Sequence, residues 1–213
     1  MRRWNLLVLL MVSALAACAA AHQDEKALLS KRAAEELGDI QFVPGRVWGR
    51  GLSYAFVDGT IFGKPIRVRF KKTEKGWRLD DVAQRGIWYD IDRFRDDFRK
   101  ECLVKTQNAL LAWETWFDPR NADARGPARL AAQLDAGACK PATPCPVPRG
   151  AGFPPAVDGW DRNLLFFVRD LGVAAASTDG THTRLLTVFS RGADGIVGSE
   201  DDLAKNILLN TPS

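Results

Sequence analysis

"VFSRGADGIVGSEDDL", Val188 to Leu203, crowds Asp194, Glu200, Asp201 and Asp202 together with Gly192, Gly195 and Gly198 in a chain whose formal net charge is +4. Two readings fit these residues. In one, the glycines turn the backbone so that carbonyl oxygens face inward. Asp194 and Asp202 then approach a common point from opposite sides, with Ser199 and Asp201 beside them, as a hard cation such as calcium requires of its oxygen ligands. Three neighbouring carboxylates repel one another, and a divalent ion removes that cost. In the other reading, Asp194-Gly195 is a solvated turn and Ser199 caps a helix beginning "SEDDLAKNIL", with Asp202 as its first-turn acid. The spacing is not that of an EF-hand. What flanks the stretch has to decide.

Working backward, "HTRLLTVFSRG" and "DGWDRNLLFFVRDLG" read as two strands, with Asp179-Gly180 as the hairpin turn between them. Before them, the segment from Lys140 to Pro155 holds Pro141, Pro144, Pro146, Pro148, Pro154 and Pro155, which predicts an extended surface connection. A short helix, "PARLAAQLDAG", starts with Pro127 in its first turn and stops at Gly137. Ahead of it, Ile87, Ile91, Phe94, Phe98, Cys102, Thr106, Ala109, Trp113 and Trp116 recur at spacings of three and four. They predict one long amphipathic helix from Ile87 to about Phe117, ended by Pro119. Its other face, with Arg93, Arg95, Asp96, Asp97, Arg99, Lys100 and Glu101, mixes both signs as a solvated surface does.

A long helix, a short helix ending in "LAAQL", a proline-containing loop, "DGWDRNLLFFV", a strand ending in "VFSRGADG" and then "GSEDDL" together resemble the C-terminal globular part of the major pseudopilin of bacterial type II secretion systems. The resemblance rests on residues 158 to 163 and 188 to 203, and on the order of elements from about 90 to 203. It implies a loop that binds calcium, with Asp194 and Asp202 at the family's aspartate ligand positions. Asp201 and Ser199 follow as further ligands, and Ser190 and Val197 as carbonyl donors. It also implies that Asp158 starts a structural turn with Trp160 packed beneath. The amino-terminal half departs from that family. It has neither the short basic leader followed by an uninterrupted apolar helix nor the glutamate at the fifth mature position, and residues 40 to 85 insert strands. A membrane-embedded helical spine is therefore not expected.

Those inserted strands alternate. In "IRVRF", Ile66, Val68 and Phe70 share one face while Arg67 and Arg69 share the other, so one side is buried and one is wet. With Asp58-Gly59 and Lys75-Gly76 at turns, the stretch from Arg46 reads as an antiparallel meander. Its "GWRLDDV" strand resembles the closing strand of small envelope domains with NTF2-like folds. Ahead of it, "DEKALLSKRAAEELG" reads as a helix capped by Asp24 and stopped by Gly38, with Ala27, Leu28, Ala34 and Leu37 inward.

The first residues give an address. Arg2 and Arg3, an uncharged run from Leu6 and small residues by Ala14 form the three-part pattern of an export signal, too short for a membrane span. "LAAC", Leu15 to Cys18, resembles the lipobox of bacterial lipoproteins, which implies lipidation of Cys18. Ala19 after that cysteine implies the outer membrane, on the periplasmic face of the envelope. Cleavage after an A-x-A site at Ala19 to Ala21 is the alternative. Loss of the leader removes two arginines, and what charge remains is too small to argue for nucleic acid as a partner. Apart from Cys18, Cys102, Cys139 and Cys145 make an odd set in a compartment that favours disulfides. "CKPATPC" closes a short stiff loop, which favours Cys139 with Cys145 over a pair using Cys102, itself on the apolar stripe of the long helix.

The expected organisation is a signal peptide at 1–17, a short helix and β-meander at 18–86, and the long helix with a pseudopilin-like domain at 87–213. The class is α+β, a long amphipathic helix packed on small antiparallel sheets. The expected role is non-enzymatic: an exported lipoprotein folded around calcium, held to the membrane by its lipid, meeting other envelope or secretion-system proteins. Two other classes compete. A ligand-binding module needs an apolar cavity lined by Trp48, Phe56 and Phe70. A metal-dependent hydrolase needs a general base that the sequence does not supply. His182 has no nucleophile motif beside it, and most of the tryptophans lie in periodic apolar patterns that predict core packing rather than a glycan platform.

Overall fold

The computed structural model describes residues 23–49, 51, 53–118, 120, 126, 129–130, 133–134, 139, 143–173 and 182–211. Cys18, the rest of the leader and the Asp179-Gly180 turn lie outside them. The class is α+β, with two antiparallel sheets of five and four strands, and the chain divides into two compact units, Met1–Asp97 and Phe98–Ser213.

In the first unit, α1 spans 23–36. A 3-10 turn, Gly38–Ile40, follows and ends on Gln41 in the left-handed region. The meander is β1 (Phe42–Trp48), β2 (Tyr54–Ile61), β3 (Lys64–Thr73), β4 (Gly76–Gln84) and β5 (Ile87–Asp90), in that spatial order. Its buried face carries Ala55, Val57, Ile66, Val68, Phe70, Leu79 and Val82, as the alternation predicts. From α1 and the residue that follows it, Leu29, Ala33 and Leu37 are fully buried, while Ala27 and Leu28 are exposed. The inward face is therefore centred elsewhere than expected: 29, 33 and 37 stand one turn apart, and Ile40 continues the line. Trp77 is tied to α1 through its indole N–H, donated to Glu25 at 2.8 Å, and through its carbonyl, which accepts from Arg32.

Two local expectations are corrected here. Asp58-Gly59 is not a turn but lies inside β2, where Gly59 pairs with Pro44 on one side and Ile66 on the other. A Cβ on Gly59 would stand 2.4 Å from the Phe42 ring, so the glycine makes room for an aromatic side chain crossing the strand. The real turn is Phe62-Gly63, both at positive φ, the backbone of a tight two-residue hairpin. The same device at Arg85-Gly86 converts the expected start of the long helix into β5, because Gln84 pairs with Ile87 across it. The helix α2 begins only at Ile91 and runs to Trp116. Asp90 fixes that start: its Oδ1 accepts from the backbone N–H of Asp92 and of Arg93, the pattern of an N-cap.

The other face of the five-stranded sheet is wet but ordered. Trp48 stacks on Phe56 with ring centroids 4.9 Å apart, and the Arg67 guanidinium lies 4.3 Å from the Trp48 ring centre. Arg69 lies 5.0 Å from that of Trp88 and pairs with Asp80 and Asp81. Phe70 points to the opposite, buried face, so Trp48, Phe56 and Phe70 do not line one cavity.

In the second unit the rest of α2 turns Cys102, Thr106, Ala109, Leu110, Trp113 and the following Phe117 inward. Ala109, Leu110, Trp113 and Phe117 meet a sheet of β6 (Cys145–Pro146), β7 (Leu165–Val173), β8 (His182–Ser190) and β9 (Leu203–Thr211), antiparallel and in sequence order. The strand β6 qualifies the expected proline-rich connection: Cys145 pairs with Phe166, and the Val147 N–H donates to the Leu164 carbonyl. Residues 126, 129, 130, 133 and 134 are helical, with Leu130 and Leu134 buried, where the short helix is expected. Cys139 and Cys145 form a disulfide with Cα atoms 5.8 Å apart. Cys102 is a buried thiol outside it. Among the described residues no helix is long and apolar enough to cross a membrane.

Candidate cation loop between the last two strands

The acidic stretch is the connection between β8 and β9, and both its ends are pinned, since Ser190 pairs with Leu203. This overturns the capped-helix reading. "LAKNILLN" is a strand in which Ile207 and Leu209 are buried while Ala204, Asn206 and Leu208 are exposed, an alternation a helix cannot satisfy against this sheet.

Within the loop the side chains converge on Ser199. Its hydroxyl oxygen lies 2.6 Å from Asp201 Oδ1, 3.0 Å from the Ile196 carbonyl, 3.2 Å from Asp194 Oδ1 and 3.4 Å from Asp202 Oδ1. One hydroxyl has a single hydrogen to give, so most of these oxygens face it without receiving a bond. The carboxylates also hold the backbone: Asp201 Oδ2 accepts from Ala193 and Asp194, Asp194 Oδ1 from Ile196, and Asp202 Oδ2 from Gly198. Gly192, at φ +61°, is where Asp201 closes over the chain; a Cβ there would stand 2.4 Å from the Asp201 carboxyl carbon.

Asp194, Ser199, Asp201 and Asp202 are therefore brought together. The carboxylates meet through the Ser199 hydroxyl, and among the described residues no three His, Cys, Asp or Glu side chains are arranged as a ready metal cluster. The donor chemistry still fits a hard cation, because every group is oxygen and an oxygen that accepts one N–H keeps a second lone pair. Val197 presents an exposed side chain. Ser190 does not face the cluster with its hydroxyl: it is fully buried and donates to Asp158 Oδ2 at 2.6 Å.

That bond opens a part of the site which sequence reasoning missed. Asp158, 6% exposed, also accepts through Oδ1 from the backbone N–H of Trp160 and Arg162, both at 2.9 Å. The Ser190 oxygen in turn accepts from the Gly192 N–H at 3.1 Å. Arg162 closes the arrangement by donating to the Gly192 carbonyl. Gly159 sits against α2, its N–H donated to Thr106 Oγ1 at 2.9 Å. The turn at Asp158 thus stands between helix and loop. Asp161 is exposed, and its backbone N–H donates to the Asp158 carbonyl at 3.2 Å.

No family model, curated protein or solved structure matches the chain.

The Ser199 hydroxyl, and then the backbone N–H groups of Asp194 and Ala193, hold the Asp201 carboxyl below its ordinary value, although partial burial pulls the other way. A group whose folded value is depressed contributes stability above its unfolded value and loses it as pH falls through the folded one. Side-chain carboxyl NMR will therefore find Asp201 titrating below an ordinary aspartate, and Ser199→Ala will move its midpoint upward. An unchanged midpoint in Ser199→Ala would remove the serine as the cause.

Proposed function

We propose that this chain is an exported bacterial envelope lipoprotein, anchored through Cys18 at the periplasmic face of the outer membrane. Its 98–213 unit is a pseudopilin-like domain folded around calcium, with a structural or interaction role beside a type II secretion apparatus. The observation that carries the reading is the place of the oxygen-rich loop. It joins two adjacent antiparallel strands of a small sheet packed on a long helix, which is the order of elements the resemblance implies. Asp194, Asp201, Asp202 and Ser199 are the groups that would hold the ion, with Ser190 and Val197 contributing at most carbonyls. Bound there, the cation supplies charge neutralisation and loop closure. The competing ligand-binding module is less favoured, since Trp48 and Phe56 stand on one face of the sheet and Phe70 on the other.

A thermal melt tests the calcium reading. Calcium at about a hundred times its dissociation constant stabilises a folded form that alone binds it by about 2.7 kcal/mol. For a unit of this size that raises Tm by about 10 °C relative to chelator. Asp194→Ala and Asp202→Ala will each abolish the rise. A wild-type Tm equal in calcium and in chelator would reject the site. Mass spectrometry of the mature amino terminus separates lipidated Cys18 from cleavage after Ala21.

A further inference from the structure

We propose that the side chains of Ser190 and Asp158 are positioning groups for the acidic loop, setting its affinity for the cation without touching it. The inference rests on the calcium reading above and extends it to side chains outside the ligand set. Ser190 is the last residue of β8 and completely buried, and its hydroxyl donates to Asp158 while accepting from Gly192. Gly192 is where the loop leaves the sheet in the left-handed region and where Asp201 folds over the backbone. Asp158 is itself immobilised by two backbone N–H groups and a buried turn, so Gly192 is held by a chain of three hydrogen bonds ending in fixed backbone. The Asp201 carboxylate can stand over Ala193 and Asp194 only if Gly192 keeps that conformation. Groups that orient ligands in this way change metal affinity about 10–100-fold when removed.

The test uses the full chain with three variants and two readouts. Ser190→Ala leaves every proposed ligand side chain and the Asp158 charge in place. Isothermal titration with calcium is expected to show its affinity reduced about tenfold. Thr106→Val removes the equally buried hydroxyl on the other side of the turn. It is expected to lower Tm while leaving calcium affinity within about twofold of wild type, because it breaks the seat on α2 and not the link to Gly192. Asp158→Asn keeps an acceptor for Trp160 and Arg162, and is expected to fall between the two. The second readout needs no metal: in chelator, Ser190→Ala must speed amide hydrogen exchange at Gly192, Ala193 and Asp194. Calcium affinity in Ser190→Ala equal to wild type, or lowered equally in Thr106→Val, would overturn the positioning role and leave the cation site standing. A wild-type chain that takes up no calcium would sink the site itself. The exchange result in chelator then tells whether the hydrogen-bond chain still orders the loop.

Discussion

Gly159→Ala will cost the second unit about 3 kcal/mol or more, although it adds only one methyl group. The added Cβ would lie 2.0 Å from the Cys102 carbonyl oxygen and 2.6 Å from that residue's carbonyl carbon and Cα. These are backbone atoms inside α2. They are held by the helix ladder and cannot swing aside as a side chain would. To make room the whole turn must lift, and lifting it breaks the Gly159 N–H bond to Thr106 and leaves that buried hydroxyl without its donor. Gly195→Ala makes a useful contrast. Its nearest neighbour is the Arg162 guanidinium at 3.0 Å, which is flexible, so the cost there reduces to the strain of a left-handed residue, about 1–2 kcal/mol. Urea unfolding of both variants checks the order, and a loss below about 1 kcal/mol in Gly159→Ala would mean that the turn is not seated on the helix.

Trp113→Ala is expected to cost about 3–5 kcal/mol, the range for deleting a large buried aromatic. Trp113 is fully buried, meets Phe166 edge-on at 5.0 Å and Trp116 edge-on at 5.5 Å, and donates its indole N–H to the Pro155 carbonyl at 2.8 Å. It therefore joins α2 both to the sheet and to the proline-rich connection, and truncation loses the contact and the hydrogen bond together. Trp113→Phe refills much of the space and forfeits the hydrogen bond, worth about 1 kcal/mol, plus part of the ring. If the two variants unfold at the same urea concentration, the packing term has been misjudged.

How much of this is legible in the sequence varies with the range of the interaction. The face of β3 was legible because Ile66, Val68 and Phe70 alternate with arginines, and the disulfide because a short loop separates its cysteines. Trp113 was legible because helical spacing needs only neighbours along the chain. The strand β5 was not, since Ile87 fits the helical stripe as well as it fits a strand. The deciding signals were Arg85-Gly86, a turn, and Asp90, a cap. Gly59 misled because a glycine that admits Phe42 looks in sequence like one that makes a turn. The choice between Leu28 and Leu29 as the inward residue of α1 is made by the sheet beneath it. At the loop, the acids and glycines announced themselves. The support from Asp158 did not, because it reaches Ser190 across the turn, a strand and a hairpin.

The strand β9 pairs with β8 from Ser190 opposite Leu203 to His182 opposite Thr211. Its arrival and the closing of the acidic stretch are one event, since neither can be finished while the other is undone. Whatever holds β9 away from β8 therefore also keeps those carboxylates apart.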